Sequence, residues 1–158
     1  MREQRIVLPL LKMMDASYQR KRGKPLGVGF CPPHLEGAPP EARLEWVHTQ
    51  APFMLLAQDA SEDPLYLYTN ASASQHFGYT PEEFLSTPAR HSATPEGQED
   101  RDAAVKATYE KGSILGYTGV RITKGGKLFR IRDAELWLLH DEADRLVGLG
   151  ALVWPGPL

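Results

Sequence analysis

The sequence predicts an α+β domain: a five-stranded antiparallel sheet with helices packed on one face and an N-terminal helix covering the other. Two short strand-like segments precede a group of helix-like segments, and three longer strand-like segments follow them. Tight turns join the last three strands and force antiparallel pairing. The first two strands are expected to join the same sheet, because otherwise their edges would stay unpaired. Residues 51–155 hold this domain, and residues 1–50 form N-terminal helices and a Gly/Pro-rich loop packed on it.

The N-terminal part begins with a helix predicted at 9–19. Pro9 suits its first turn, and one face is apolar at helical spacing. That face carries Val7, Leu11, Met14 and Tyr18. Four glycines and five prolines within residues 23–40 predict a loop. A second helix is expected at about 41–49.

The segment that follows contains two strands and three helices. The apolar run at 52–57 and the segment 65–69 predict strands separated by a polar turn. Gly78 and Gly112 are residues that end helices, and Thr80 is a suitable N-cap. These signals bound helices at 71–77, 81–85 and about 96–111.

The chain ends in three strands, predicted at 113–123, 127–139 and 145–154. Gly125 and Gly126 mark a hairpin between the first two. Apolar runs such as Leu136–Leu139 do not alternate with polar residues, so both faces of the sheet are expected to be covered. The N-terminal helix is one cover, with Trp137 and Trp154 packed beneath it. A homodimer contact is the other, and we expect a combination of both.

Composition and charge are those of an ordinary globular domain. The 158 residues are 42% hydrophobic and 24% charged, with a net charge of −2. The single cysteine, Cys31, fits a reducing compartment, and no signal peptide or membrane-spanning run is present, so a cytoplasmic location and no membrane partner are expected. Residues 1–24 are basic, with seven Lys/Arg against two acids. We interpret them as a solvated helix end rather than a nucleic-acid site, since no aromatic platform accompanies them.

Ordered motifs along the chain carry a family resemblance. The segment Tyr68-Thr-Asn70 followed by Phe77-Gly-Tyr-Thr80 and Pro81-Glu-Glu-Phe84 is similar to the signature of PAS domains. A fuller set resembles the MEKHLA family, which is PAS-like and occurs in stand-alone bacterial proteins and at the C-terminus of plant class III homeodomain-leucine-zipper proteins. That set comprises Tyr68–Ala73, Pro88–Ala93, Gly116–Ile122, Gly126–Ile131 and Glu135–Trp137. The resemblance implies a PAS-like fold and a sensory module of the stand-alone type.

Departures from the family pattern bear on cofactors. Ala89-Arg90 stands where the family usually has Ser-Arg, and Leu149 stands where it usually has Gln. Flavin-binding PAS sheets often use a glutamine there, and photochemical ones use a cysteine before the long helix, which this chain lacks. Haem-binding PAS domains commonly take a ligand from the long helix, where no His occurs, although His76 or His91 remain alternatives. Neither flavin nor haem is expected.

Catalytic and metal-binding motifs are absent from the sequence. It contains no nucleophile elbow, phosphate-binding loop or paired-cysteine motif, and the five histidines show no ligand spacing. We therefore expect neither an enzyme nor a metal site.

The space between sheet and helices is the candidate binding site. Its predicted residues are Tyr68, Phe77, Arg90, His91, Arg101, Tyr109, Tyr117 and Phe129. Arg101 is the sharpest of them, because it shares a helix face with Val105 and Thr108 and a buried guanidinium needs an anionic partner. Asp133 or Glu135 would be structural partners, exposure to solvent is a second possibility, and a small acidic or polar ligand is the third.

Two functions follow from this site. The first is a PAS-like sensory module that binds a small molecule and signals in trans to another protein. The alternative is a protein–protein interaction or homodimerisation module without a ligand. An unoccupied core simply filled by its apolar side chains would fit the alternative.

Overall fold

The computed structural model describes residues 2–158, with side chains from residue 7 onward. Five strands form one sheet in the order β2-β1-β5-β4-β3, and every neighbouring pair is antiparallel. The predicted fold class is thus confirmed. The strands are β1 Met54–Asp59, β2 Tyr66–Thr69, β3 Ser113–Ile122, β4 Leu128–His140 and β5 Leu146–Gly156.

Six α-helices accompany the sheet. They are α1 Arg2–Arg22, α2 Pro33–Glu36, α3 Pro40–Thr49, α4 Ala71–Phe77, α5 Pro81–Leu85 and α6 Gln98–Lys111. Two short 3₁₀ turns, Ala89–Ser92 and Pro95–Gly97, lead into α6. No helix among residues 2–158 has both the length and the apolar character required to cross a bilayer.

The first helix is longer than the sequence predicts. Pro9 lies inside α1 rather than in its first turn, so the expected start at residue 9 is wrong. Pro9 has no N–H to donate, yet the helix continues through it because the turns that follow are anchored by packing. Leu11, Met14 and Tyr18 are all buried against the sheet. The 23–40 loop also contains one turn of helix, α2, which its prolines disguise.

The N-terminal helices cover one face of the sheet, as expected. The Trp137 indole N–H donates to the Met14 carbonyl at 3.3 Å, and the Tyr18 ring meets the Trp137 ring edge-on at 4.9 Å. Trp154 packs edge-on against Phe53 at 5.6 Å. The apolar residues of β1 are therefore buried on both sides, which explains why they do not alternate with polar ones.

The same face contains a buried ion pair. The Arg43 Nη2 atom lies 2.9 Å from Asp15 Oδ2, and the two side chains are only 5% and 8% exposed. Asp15 Oδ1 also accepts from the Leu26 N–H at 2.8 Å, and Arg43 Nη1 donates to the Leu26 carbonyl at 2.5 Å. This network fastens α1, the Gly/Pro-rich loop and α3 together.

Helices α4, α5 and α6 cover the opposite face. Asn70 caps α4 by accepting from the Ala73 N–H at 3.1 Å, and Thr80 and Glu83 form a capping box on α5. Phe77 packs edge-on against Phe84 and Phe129 at 5.3 and 5.1 Å. The molecule therefore has two separate apolar cores, one on each face of the sheet.

Candidate functional site

A cavity of about 60 Å³ lies between the sheet and α6. It is lined by side chains from all five strands, from α4 and α6, and from the 3₁₀ turn at Ala89–Ser92. Most of the wall is apolar. The polar and charged residues in it are Gln58, Tyr66, Ser92, Arg101, Tyr117 and Arg121.

Arg101 projects from the first turns of α6 and is 8% exposed. Its Nη2 atom donates to Gln58 Oε1 at 2.7 Å. The nearest carboxylate is that of Asp102, whose Oδ1 lies 3.9 Å from Arg101 Nη1 and whose side chain is 71% exposed. A carboxylate so well hydrated at that distance compensates little of the buried charge.

The prediction that Asp133 or Glu135 pairs with Arg101 is wrong. Glu135 lies on the other face of the sheet, where its Oε1 accepts from Arg22 at 2.8 Å and from the Tyr18 hydroxyl at 3.0 Å. Asp133 is exposed at an irregular position of β4, where its φ of 49° interrupts the pleat. Regular alternation from Ile131 would place both acids on the cavity face, but the pairing register shifts between Arg132 and Glu135.

Gln58, which the sequence analysis did not predict, is the polar residue that contacts Arg101 in the cavity wall. Its Oε1 is occupied by the arginine, but its buried Nε2 has no hydrogen-bond partner among the described residues. Unpartnered buried donors are rare because they lose the hydrogen bonds that water would supply. The Gln58 amide therefore leaves a donor available to a cavity ligand.

Arg121 is a second buried cation in the same wall, at 7% exposure. Its Nη1 donates to the Val120 carbonyl at 2.9 Å and its Nη2 to the Tyr117 hydroxyl at 3.2 Å. Tyr117 in turn donates to Asp100 Oδ2 at 3.0 Å. Among the residues that the structure describes, Arg121 thus reaches a carboxylate only through a tyrosine hydroxyl.

Gly119 makes room for this arrangement. A Cβ at Gly119 would lie 2.5 Å from the Tyr117 hydroxyl and 3.0 Å from Arg121 Nη1. The strand register is irregular between Tyr117 and Gly119, and the glycine permits the close approach of side chains there. Tyr117 and Arg121 can therefore meet over a residue without a side chain.

The surroundings of Arg101 disfavour the charged form of its guanidinium. Burial lowers the pKa of the Arg101 guanidinium, and the positive charge of Arg121 lowers it further. Burial also raises the pKa of the Tyr117 hydroxyl, which keeps that group neutral. An anion in the cavity would interact favourably with both cations.

Of the residues predicted for the site, Phe77, Arg101 and Tyr117 line the cavity. Phe129 belongs to the same core, where it packs on Phe77. Tyr68 does not reach the cavity: it lies on the opposite face, with its hydroxyl 2.7 Å from His48 Nδ1. Tyr66 occupies the cavity side of β2 instead, although it lies only two residues before Tyr68, because the pairing of β2 with β1 is irregular between Ala57 and Gln58.

Arg90, His91 and Tyr109 also lie elsewhere. The 3₁₀ turn buries Ala89 and Ser92 and leaves Arg90 and His91 outward, where Arg90 Nε pairs with Asp63 Oδ1 at 3.0 Å. Both line an open groove outside the cavity, which Arg101 also borders. Tyr109 is 37% exposed because the buried face of α6 runs through Arg101, Ala104 and Thr108, one residue position away.

Four polar or charged residues of the cavity wall were not predicted: Gln58, Tyr66, Ser92 and Arg121. A signal existed for Arg121, since Tyr117, Gly119 and Arg121 are spaced by two and share one face of a strand. No such signal marks Gln58, because it follows the apolar run of β1 as a turn residue would.

The cavity residues do not fit a flavin or a haem. Leu149 lines the wall and offers no hydrogen bond to a flavin ring, and Cys31 is buried on the opposite face. A volume of about 60 Å³ is well below the roughly 300 Å³ at which pockets for cofactor-sized ligands begin. His76 and His91 are exposed and do not line the cavity. Within the described residues no three His, Cys, Asp or Glu side chains converge to hold a metal ion.

Comparison with solved structures places the fold among PAS and light-oxygen-voltage domains. The PAS domain of a protein from Colwellia psychrerythraea is 17% identical, with a TM-score of 0.61 over 72% of this chain and 92% of that one. A light-oxygen-voltage domain studied with a flavin analogue is 17% identical, with a TM-score of 0.59 over 77% and 87%. An RNA-binding light-oxygen-voltage receptor is 17% identical, with a TM-score of 0.60 over 82% of this chain and 36% of that one.

No curated protein matches the sequence. The family model of the MEKHLA domain matches residues 9–154, which is nearly the whole chain and includes α1 from Pro9 onward as well as the sheet. The fold, the motif order and this match agree, and the chain belongs to the MEKHLA domain family.

Proposed function

We propose that this chain is a cytoplasmic sensory module that binds a small anionic molecule in the cavity between the sheet and α6 and signals in trans, rather than catalysing a reaction. The single observation that carries the proposal is Arg101. It is buried in the cavity wall, and its contacts there are a neutral amide oxygen at 2.7 Å and an exposed carboxylate at 3.9 Å. A guanidinium removed from water without a close anion is costly, so a ligand anion is its natural partner.

The position of Arg101 also suits a sensor. The residue borders both the cavity and the outer groove that contains Arg90 and His91. An anion approaching from solvent would meet this groove first and Arg101 next. Binding at Arg101 would then change the contacts of α6 with β1, which is a route by which occupancy could reach the surface.

Native mass spectrometry of the purified protein tests the proposal. We expect a bound small molecule, or a mass shift when a panel of small organic and inorganic anions is added. The variant Arg101→Met should lose that binding, because Met fills similar space without the charge. Lys106→Met is the matched control, since Lys106 lies on the same helix with 79% of its side chain exposed and should leave binding unchanged. Unchanged binding in Arg101→Met would contradict the proposal.

A protein-interaction module remains the second candidate, on a separate observation. Phe30 and Leu115 are 48% and 55% exposed and, with Trp154, line an open groove beside the edge strand β3. Exposed apolar groups next to a sheet edge are typical of interfaces. Light scattering on the native-mass-spectrometry sample separates the two: a dimer with no ligand under any condition favours the interaction module.

We do not propose nucleic acid as a partner. The basic end of α1 is engaged within the protein, since Arg22 pairs with Glu135 at 2.8 Å and Arg20 lies 3.7 Å from Asp144. These pairs reduce the positive charge that a phosphate backbone would meet.

A further inference from the structure

We infer that the cavity ligand is a short aliphatic monocarboxylate of about four or five non-hydrogen atoms, with its carboxylate between Arg101 and Arg121. This inference rests on the proposed function and names the class of ligand.

The charge of the cavity wall selects an anion. Two guanidiniums line it, and no described Asp or Glu side chain does. The closest carboxylates, Asp102 and Asp100, are exposed, and the second reaches Arg121 only through Tyr117. A guanidinium presents its donors in a planar fork that matches the two oxygens of a carboxylate.

The hydrogen-bonding groups of the cavity wall favour a ligand that accepts hydrogen bonds. Gln58 Nε2 is an unpartnered donor, whereas Gln58 Oε1 already accepts from Arg101. The Tyr117 hydroxyl accepts from Arg121 and donates to Asp100, so it has no free hydrogen. An ionised carboxylate accepts only, and it satisfies these donors without bringing a hydrogen of its own. Amines and ammonium ions do not match this wall.

Most of the remaining wall is apolar, which favours an aliphatic group on the ligand. Ala104, Val105, Ile131 and Leu136 line the cavity along with other apolar side chains. A sulfate or phosphate carries oxygens on every side, and those facing this wall would be left without donors. A methyl or ethyl group buries apolar surface there instead.

The volume limits the length of the ligand. One water, with its single non-hydrogen atom, needs about 10–15 Å³ of such volume. A volume of about 60 Å³ therefore holds about four or five non-hydrogen atoms. Acetate and propionate meet this limit, and hexanoate exceeds it.

Thermal unfolding with matched ligands tests the class. Sodium acetate, propionate, hexanoate and sulfate, and the neutral isostere propionamide, are compared at constant ionic strength. We expect acetate and propionate to raise Tm by about 5–10 °C at one hundred times their dissociation constants. Hexanoate, sulfate and propionamide should leave Tm unchanged. An equal shift with sulfate, hexanoate or propionamide overturns the inference.

The variant Gln58→Glu gives a second, sharper readout. It is isosteric and places a carboxylate of the protein itself beside Arg101. We expect its Tm without ligand to rise by about 2 °C or more, and acetate to produce no further shift. Arg121→Met should lower the affinity for acetate at least about tenfold, as expected for one charge-assisted hydrogen bond, while Lys106→Met should not. A normal response to acetate in Gln58→Glu overturns the inference.

Failure of this inference is distinguishable from failure of the proposed function. If native mass spectrometry finds a different small molecule bound at Arg101, the sensory role stands and the carboxylate class is wrong. If neither the carboxylates nor any other small molecule binds, both are wrong.

Discussion

Each face of the sheet buries an arginine that projects from a helix, and only one of the two arginines has a buried carboxylate partner. On the N-terminal face, Arg43 pairs with Asp15 at 2.9 Å and also donates to the Leu26 carbonyl. On the cavity face, Arg101 donates to a neutral amide and has only an exposed carboxylate 3.9 Å away. The side chains are almost equally buried, at 5% and 10% exposure.

This difference separates a structural arginine from a binding one. A buried charge needs a partner, and the N-terminal face supplies it from the chain itself. The cavity face instead places a second cation, Arg121, in the same wall. The buried charge on the N-terminal face is therefore compensated within the protein, whereas the buried charge on the cavity face needs a bound anion.

The largest expected effect contrasts the two arginines directly. Arg43→Met should lower the free energy of unfolding by about 3–5 kcal/mol, because it leaves the buried Asp15 carboxylate unpaired. Arg101→Met should change it by less than about 1 kcal/mol, because the lost hydrogen bond to Gln58 is offset by removal of an unpaired buried charge. Urea unfolding of both variants measures the contrast.

A double variant checks the cause of the first effect. Asp15→Asn combined with Arg43→Met removes both charges and keeps an acceptor for the Leu26 N–H, so it should recover part of the lost stability. A loss of more than about 3 kcal/mol in Arg101→Met would instead show that the two arginines are both structural.

A smaller effect is expected at Gly119. Gly119→Ala should lower stability by only about 1 kcal/mol, because its Cβ meets side-chain atoms of Tyr117 and Arg121 rather than backbone. It should nevertheless weaken acetate binding, since those side chains hold the geometry of the cavity wall. Calorimetric titration and urea unfolding of the same variant separate the two. Gly125→Ala, in the exposed hairpin turn, is the control. Unaltered acetate affinity in Gly119→Ala would count against the role of the Tyr117–Arg121 pair.

The smallest effect concerns the partly exposed ion pair between Lys124 and Glu83. A hydrogen bond from Lys124, aided by one from the Thr80 N–H, lowers the pKa of Glu83 to about 2. A lowered pKa in the folded state stabilises the protein above the ordinary Glu value near 4.5, and this contribution is lost as the pH falls towards 2. Glu83→Gln should therefore show a flatter decline of stability between these pH values. A parallel decline in both proteins would show that the pair contributes nothing.

The sequence alone determined the architecture to a large extent. Helix-cap signals act locally, and the structure confirms them. Thr80 caps the start of α5, and Gly78 and Gly112 end α4 and α6. The unbroken apolar run of β1 was sufficient to predict that both faces of the sheet are covered. Pro9 misled the prediction of α1, because a local helix signal cannot report the packing that carries a helix through a proline.

The site depended on tertiary structure, for a physical reason. A helix position could be assigned to Arg101, but its partner could not, because irregular pairing in β4 sends Glu135 to the other face and leaves Gln58 beside the guanidinium. The cavity side of β2 likewise belongs to Tyr66 and not to Tyr68. Which side of a strand faces the cavity changes with a shift of one residue, so only the assembled sheet decides it. The sequence determines which residues are buried, and the tertiary structure determines which of them face each other.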